Sequence, residues 1–307
     1  MAKKEKQKKQ YDAKKHIQMT GSDRVMNGGF YLFITVFSII CLIPFLLVLG
    51  SSFTAERALT QNGYNIWPSE FSLDAYKLVF VSGDIPQAYL ITVGTTIVGT
   101  FFSMVFTCGA AYAMSVKNFK SRGVLALFIY FTMLFNGGLV ANYLLTTKFL
   151  HLQNNILVLL PSFCNAWNIL LMRNFFSGIP ASLAESAKID GANDITILIK
   201  IIIPISLPGI ATIGLFYALT YWNEWYNAML YIEDSAKYPL QYFLQQMVNK
   251  ANAEILVSQG ITVDMAEMPS ESIKMATAVV ATGPIILVYP FVQKYFVQGL
   301  TVGAVKG

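Results

Sequence analysis

Charge is what this chain lacks most. Asp, Glu, Lys and Arg supply 13% of its 307 residues, against roughly 25% in an ordinary soluble domain. So few charges cannot clothe an aqueous surface, and a water-soluble fold does not fit the balance. Histidine is almost absent: His16 and His151 lie in different inter-helix regions, so no metal-ligand cluster is available. Cys41, Cys108 and Cys164 all fall within apolar runs, where cysteine behaves as a small buried hydrophobe and not as part of a disulfide framework. No Gly-x-x-x-x-Gly-Lys-Ser/Thr phosphate loop occurs, which removes that type of ATP site. Paired carboxylates, His-rich clusters and nucleophile–base constellations are missing too, so nothing points to an enzyme.

What is present instead is a series of long charge-free runs. A bilayer core about 30 Å thick needs roughly 20 apolar helical residues. Phe30 to Ala55, Ile85 to Val116, Gly123 to Thr147 and Gln153 to Met172 contain no Asp, Glu, Lys or Arg. Ile201 to Tyr231 is interrupted only by Glu224, and Met275 to Gln293 is charge-free. These runs predict an all-α polytopic membrane protein with six transmembrane helices. The division that follows is a basic N-terminal tail over residues 1–28, a six-helix domain over 29–298 and a short tail over 299–307.

The net charge of +5 has a membrane explanation and does not call for nucleic acid. Lys3, Lys4, Lys6, Lys8, Lys9, Lys14, Lys15 and Arg24 precede the first span, and threading six spans from a cytoplasmic N-terminus places most of the 22 basic residues inside. Both termini are therefore expected in the cytoplasm. The outside segments, Thr54 to Asp84 and Ile232 to Lys274, hold most of the acidic residues. In the second, Leu240, Phe243, Leu244, Met247 and Val248 recur with the spacing of an amphipathic helix on the membrane face or the bundle. The second span carries Thr95, Gly99, Ser103, Thr107, Ala111 and Ser115 at every fourth position, a close-packing face that any one partner follows only in part.

Residues 179–204 encode an elbow between spans four and five. Ser182 with Glu185 three residues on matches a capping box, and Gly191 suits the left-handed position that ends a helix. On spacing alone, Glu185 and Gly191 are equally readable as a loop cap and a chain turn. The pattern resembles the EAA motif of the membrane subunits of ATP-binding-cassette importers, through Glu185, Ala187, Asp190, Gly191, Ala192, Ile201 and Pro204. Ser186 and Ile203 stand where that family usually has Ala and Leu, and both exchanges are conservative in size.

Further segments extend the resemblance over most of the chain: Phe135-Asn136-Gly137-Gly138-Leu139, Met172-Arg173-Asn174-Phe175-Phe176, Tyr221-Trp222-Asn223-Glu224-Trp225 and Gln293 to Gly299. These are similar to the carbohydrate-uptake permeases, within them to the lipoprotein-linked and polygalacturonan-type oligosaccharide branch. The resemblance implies one half of a two-permease pore for a sugar, served by a second homologous permease, a cytoplasmic ATPase dimer that uses ATP and Mg, and an extracellular solute-binding lipoprotein. No cofactor is then bound by this chain, and localisation is the bacterial cell membrane. Ser182, Glu185, Ala187, Asp190, Gly191, Ala192 and Pro204 become the ATPase-coupling residues.

For the substrate path, span five offers an unusual density of aromatic and polar groups from Tyr217 to Asn227. Sugars present an apolar ring face and a rim of hydroxyls, so aromatics beside amide and carboxylate groups suit them. An interfacial aromatic belt accounts for the same residues if Glu224 simply reaches water. On a continuous helix Thr220, Asn223, Glu224 and Asn227 share one face, and with Tyr221 and Asn136 they form the expected path. A stand-alone secondary transporter is the rival reading. It needs intramembrane ionisable groups and an internal repeat, whereas Glu224 is the single ionisable residue well inside a span and no clear repeat is visible.

The charge distribution generates a first prediction. In a background free of native cysteines, Lys6→Cys and Lys306→Cys should resist an impermeant thiol reagent in intact cells, while Lys250→Cys should react; the reverse labelling would overturn the orientation.

Overall fold

The computed structural model describes residues 21–81, 84–160, 163–246, 249 and 271–304. Among them the chain is built of helices, with a lone antiparallel bridge between Thr54 and Phe71.

Helix α1 (Gly21–Ser52) contains most of the first charge-free run, and none of its most apolar window is buried within the chain. Its described part is already helical at Gly21, inside the stretch expected to be tail. Short helices α2 (Glu56–Asn62) and α3 (Asp74–Val81) occupy the segment before α4 (Asp84–Ser115), the second long apolar helix. By length and composition α1 and α4 each suffice to cross a membrane.

The third run is not straight. α5 (Arg122–Leu134) and α6 (Gly138–Leu144), which continues through a π-helical turn to Phe149, are bent by 109°. The Asn136 Oδ1 accepts from the Gly138 amide at 2.9 Å, and Gly138 takes φ 81°. A left-handed glycine and an amide side chain that replaces a lost helical bond make the bend.

The fourth expected span, Gln153 to Met172, is not one helix, which corrects the reading of that run. A 3-10 turn over Ile156–Leu159 precedes α7 (Ala166–Ser177). Asn155 and Asn165 cap these two pieces, accepting from the amides of Leu157 and Asn168 at 3.0 and 3.1 Å. Asparagine competes for backbone amides in this way, and it divides an apolar run that hydropathy treats as continuous.

Beyond α7 lie α8 (Ala181–Ile189) and α9 (Asp194–Ile197), which runs through a π-helical turn into α10 (Ile203–Ile205). α11 (Leu207–Trp222) and α12 (Tyr226–Tyr231) follow, and the axis turns by 89° between Ile205 and Leu207. If each bent pair counts as one span, the described residues hold four span candidates. Residues 240–246 are helical. Leu240, Phe243 and Leu244 pack with Ala75, Val79, Ile85, Ala276 and Ala281, so this amphipathic segment lies on the bundle. Met247 and Val248 lie outside the described residues, as do residues 1–20 and 305–307 of the expected tails.

The last helix, α13 (Glu271–Ala304), contains Pro284 and Pro290. It is helical through Ala304, so most of the expected C-terminal tail continues the final helix. Its first turn is closed from far away in sequence. Both carboxylate oxygens of Glu56 accept from it, Oε1 from the Glu271 amide at 3.0 Å and Oε2 from the Ser272 amide at 2.8 Å. Glu271 in turn accepts from Tyr64 Oη at 2.7 Å and from Lys274 Nζ at 2.6 Å. The Glu271 hydrogen bond pushes the Tyr64 phenol up to about 12.

α4 is the centre of the packing, with α11 and α7 as its principal neighbours. Its small residues receive two tyrosines from α11: Tyr217 Oη meets Thr107 Oγ1 at 2.7 Å, and Tyr221 Oη meets Ser103 Oγ at 2.9 Å. A Cβ on Gly99 would lie 2.7 Å from the Tyr221 ring. Further along the same row, Ala111 packs in a cluster that includes Met172 and Phe176 of α7. The row thus serves two partner helices in succession, as its drift around the axis requires.

Gly99→Ala should therefore destabilise the α4–α11 contact by about 1–3 kcal/mol through overpacking. Thermal melting of the detergent-purified protein in a double-mutant cycle with Tyr221→Ala, which removes the ring, should show strong non-additivity; additive shifts would deny the contact.

Candidate functional site

The elbow closes by a different set of bonds from those its motif suggested. Pro180, not Ser182, is the N-cap of α8, and no side chain caps that helix end. The capping box is absent because Pro180, with φ fixed near its ring value, already supplies the entry geometry, and Ser182 falls inside the first turn, exposed. At the other end the expectation holds. Gly191 adopts φ 83°, its amide reaches the Lys188 carbonyl at 3.1 Å, and the Ala192 amide reaches the Ala187 carbonyl at 2.9 Å. These bonds form a Schellman closure.

Asn193 then caps α9, its Oδ1 accepting from the Thr196 amide at 2.8 Å. Lys188 Nζ spans the turn to Asp194 Oδ1 at 2.9 Å, and that hydrogen bond holds the Asp194 carboxyl below the usual carboxylate range. Tyr112 Oη donates to the same oxygen at 3.3 Å, tying the elbow to the end of α4. Ala187 and Ala192 pack inward against the cluster of Met172, Phe176, Ile197 and Tyr217. Glu185, Ser182 and Asp190 face out. Pro204 lies at the start of α10, just before the 89° bend.

The elbow also exposes large apolar side chains that the motif did not single out: Ile189 is 88% and Ile195 69% exposed, with Leu183 beside them. The outer face of the elbow is thus partly apolar, although the turn itself carries Lys188, Asp190 and Asp194. The signal of the isoleucines in the sequence was only that apolar residues interrupt an otherwise polar loop.

The segment Tyr217 to Asn227 departs from its expected geometry. α11 ends at Trp222, with Asn223 as its C-cap, and α12 restarts at Tyr226. Thr220, Asn223, Glu224 and Asn227 therefore do not line one helical face. Glu224 spends both oxygens on closing the gap, accepting from the Asn227 amide at 2.8 Å and from Asn227 Nδ2 at 2.9 Å. Tyr221 is 1% exposed with its hydroxyl on Ser103, so it belongs to the packed core and not to a path lining. Trp222 is likewise buried, its Nε1 donating to the Ala281 carbonyl at 3.0 Å.

Thr220 and Asn223 remain exposed, each folded back on its own helix, to the carbonyls of Phe216 and Leu219 at 2.8 and 2.9 Å. Trp225 and Tyr226 are exposed beside them. Asn136 is also exposed, but it serves the α5–α6 bend and makes no described bond to this segment. No group of three His, Cys, Asp or Glu suited to a metal gathers among the described residues.

A helical bundle with a rigid elbow and a broken polar helix end is the setting for comparison with known proteins. Residues 21–302 match the family described as the binding-protein-dependent transport system inner membrane component. The chain belongs to that family. It is 42% identical over 291 residues to the polygalacturonan/rhamnogalacturonan transport system permease protein YtcP of Bacillus subtilis, covering 93% of this chain and 99% of that protein. It is 38% identical over 288 residues to the protein LplC of the same organism, covering 94% and 97%. Among solved structures, a chain of a bacterial ABC transporter that imports the acidic polysaccharide alginate superposes with a TM-score of 0.77 at 34% identity, covering 90% of this chain and 98% of that one.

The fold is thus that of an ABC importer permease, and the chain is the membrane-embedded subunit, with ATP hydrolysis residing on a separate polypeptide. The family works with a binding protein, which sets aside a stand-alone secondary transporter.

Because no cap bond reaches Glu185, Glu185→Ala should leave the melting temperature of the purified protein nearly unchanged, within about 0.5 kcal/mol. Gly191→Val forces a β-branched residue into the left-handed region and should cost about 1–3 kcal/mol. Equal destabilisation by both would show that Glu185 has a structural role after all.

Proposed function

We propose that this chain pairs with a related second permease to form the pore of an oligosaccharide importer, driven by an ATPase dimer docked on the elbow. The observation that carries the reading is the elbow itself. Its Schellman turn, its Lys188–Asp194 bridge and its inward alanines make it rigid, while Glu185, Leu183, Ile189 and Ile195 are left facing outward for a partner. In this reading both termini and the elbow are cytoplasmic, and an extracellular lipoprotein delivers the sugar. The relative named for polygalacturonan and rhamnogalacturonan, and the neighbour that imports an acidic polysaccharide, support an acidic oligosaccharide as the cargo.

Mechanically, closure of the ATPases moves the elbow, and the elbow is continuous with α11 through the bend at Ser206. The hydroxyl of Tyr217 receives the Asn165 amide at 3.3 Å as well as facing Thr107, so movement of α11 is felt at α4 and at the start of α7. Displacement at the far end of α11 would shift Thr220, Asn223 and the break at Glu224. These residues, with the neighbouring Trp225 and Tyr226, form the sugar-contacting part of the path, and Asn136 adds a second exposed amide at another break. Aromatic faces with amides at their edge suit the two sides of a sugar ring.

Co-purification in mild detergent should bring down an ATPase and a second permease, and Ile189→Asp should release the ATPase without disturbing the permease pair. In vesicles holding the assembled importer, Asn223→Ala should lower binding-protein-dependent uptake several-fold while basal hydrolysis is kept. A lone active chain, or normal uptake by Asn223→Ala, would refute the assembly or the path assignment respectively.

A further inference from the structure

Next to the elbow lies a cavity of about 300 Å³ enclosed by the end of α4, the turn into α5, the end of α7 and the wall of α8. Lys117, Arg122, Arg173 and Lys188 line it, with Glu185 as the one carboxylate on the lining. Lys188 is occupied by Asp194 at 2.9 Å. Among the described residues no acidic group lies in ion-pair range of Lys117, Arg122 or Arg173. Lys117 and Arg122 are exposed and Arg173 is half-buried, so three cations border one cavity with guanidinium and ammonium groups open to a ligand from outside.

The depth of these cations is set by the sequence. Lys117 follows the charge-free run that ends at Val116, Arg122 precedes the run that starts at Gly123, and Arg173 follows the run that ends at Met172. Each is the first charge beyond an apolar segment, so the cavity sits where hydrocarbon gives way to the polar boundary of the bilayer, at the level of lipid phosphates. Met114, Val116 and Ile202 give the same cavity apolar wall, which suits the glycerol and upper acyl portion of a lipid.

The geometry points to a binding site for the phosphate of an anionic phospholipid, wedged between the α4–α5 turn and the coupling elbow. Guanidinium groups offer planar paired donors that match phosphate oxygens, and Arg122 and Arg173 supply two. A zwitterionic lipid is disfavoured because its own cation would meet Lys117 and Lys188, and basic pockets at the cytoplasmic ends of membrane helices select anionic headgroups on this ground. With Pro180, Ala181 and Ala184 as one wall, a seated headgroup braces the elbow against the bundle. The inference rests on the proposed cytoplasmic placement of the elbow.

Native mass spectrometry of the assembled importer, delipidated in mild detergent and then given phosphatidylglycerol, phosphatidylcholine or inorganic phosphate, tests it. The expected result is retention of phosphatidylglycerol over phosphatidylcholine, weakened about tenfold or more in the double variant Arg122→Gln/Arg173→Gln, as loss of charge-assisted bonds predicts. The charge-retaining Arg122→Lys/Arg173→Lys should fall between, and the distant pair Lys77→Gln/Lys148→Gln should bind as the parent does. Unchanged retention in the Arg→Gln double variant would overturn the site. Binding of inorganic phosphate at the same arginines without lipid retention would overturn the lipid source. Dissociation of the ATPase from that variant with lipid retention intact would assign the cations to a protein contact instead. Lipid retention is read on the particle whatever solute it carries, so this result and the uptake result fail independently.

Discussion

In a bilayer core there is no water to take up a backbone amide or carbonyl, so every place where a helix stops must be closed by the chain itself. Several of the described breaks meet this constraint with polar side chains, and the bend at Ser206 meets it with backbone bonds from the Ser206 amide to the Ile202 and Ile203 carbonyls. Asn136 accepts from Gly138 at the α5–α6 bend, Asn155 and Asn165 close the two ends of the divided fourth run, and Glu224 accepts twice from Asn227 between α11 and α12. Residues that look in a list like a hydrophilic lining are in part the hardware of interruption. Thr220 and Asn223, by contrast, are exposed and close no break between helices.

Close approach of α4 and α11 is the second condition of the architecture. Bulky residues at Gly99, Ser103 and Thr107 would leave no room for the rings of Tyr221 and Tyr217, whose hydroxyls need partners once buried. Small hydroxyl-bearing residues supply space and hydrogen bonds together. This pairing converts α11 into a rod keyed to the bundle. Its two ends are the bend before Leu207 and the break at Asn223.

The elbow was legible because its chemistry is local. Gly191 must take a positive φ to turn the chain within two residues, and the side chains that stabilise the turn, Lys188, Asn193 and Asp194, lie within six positions of one another. Ser182 misled because Pro180 pre-empts the cap position, a competition between two valid entry signals. Tyr221 misled for a different reason: its partner Ser103 is 118 residues away, and nothing near Tyr221 announces whether its ring faces a cavity or a neighbour. Glu56 is still further from its partners, with 215 residues between its own short helix and the first turn of α13 that it closes.

By itself the sequence determined the membrane setting, the helical class and the turn at Gly191, since each of these follows from composition, run length or residues spaced within one or two turns, and it carried the family through the resemblance of its motifs. Hydropathy measures how apolar a run is and carries no information about where its axis bends, so only the tertiary structure decided that the fourth run is divided and that the third and fifth turn sharply. Which face of α11 is buried was decided there as well, because helical periodicity ranks neighbours on a cylinder but cannot name the helix that covers them. The deciding term is shape: two tyrosine rings fit the α4 row only from one side, and that fit leaves Thr220 and Asn223 on the other.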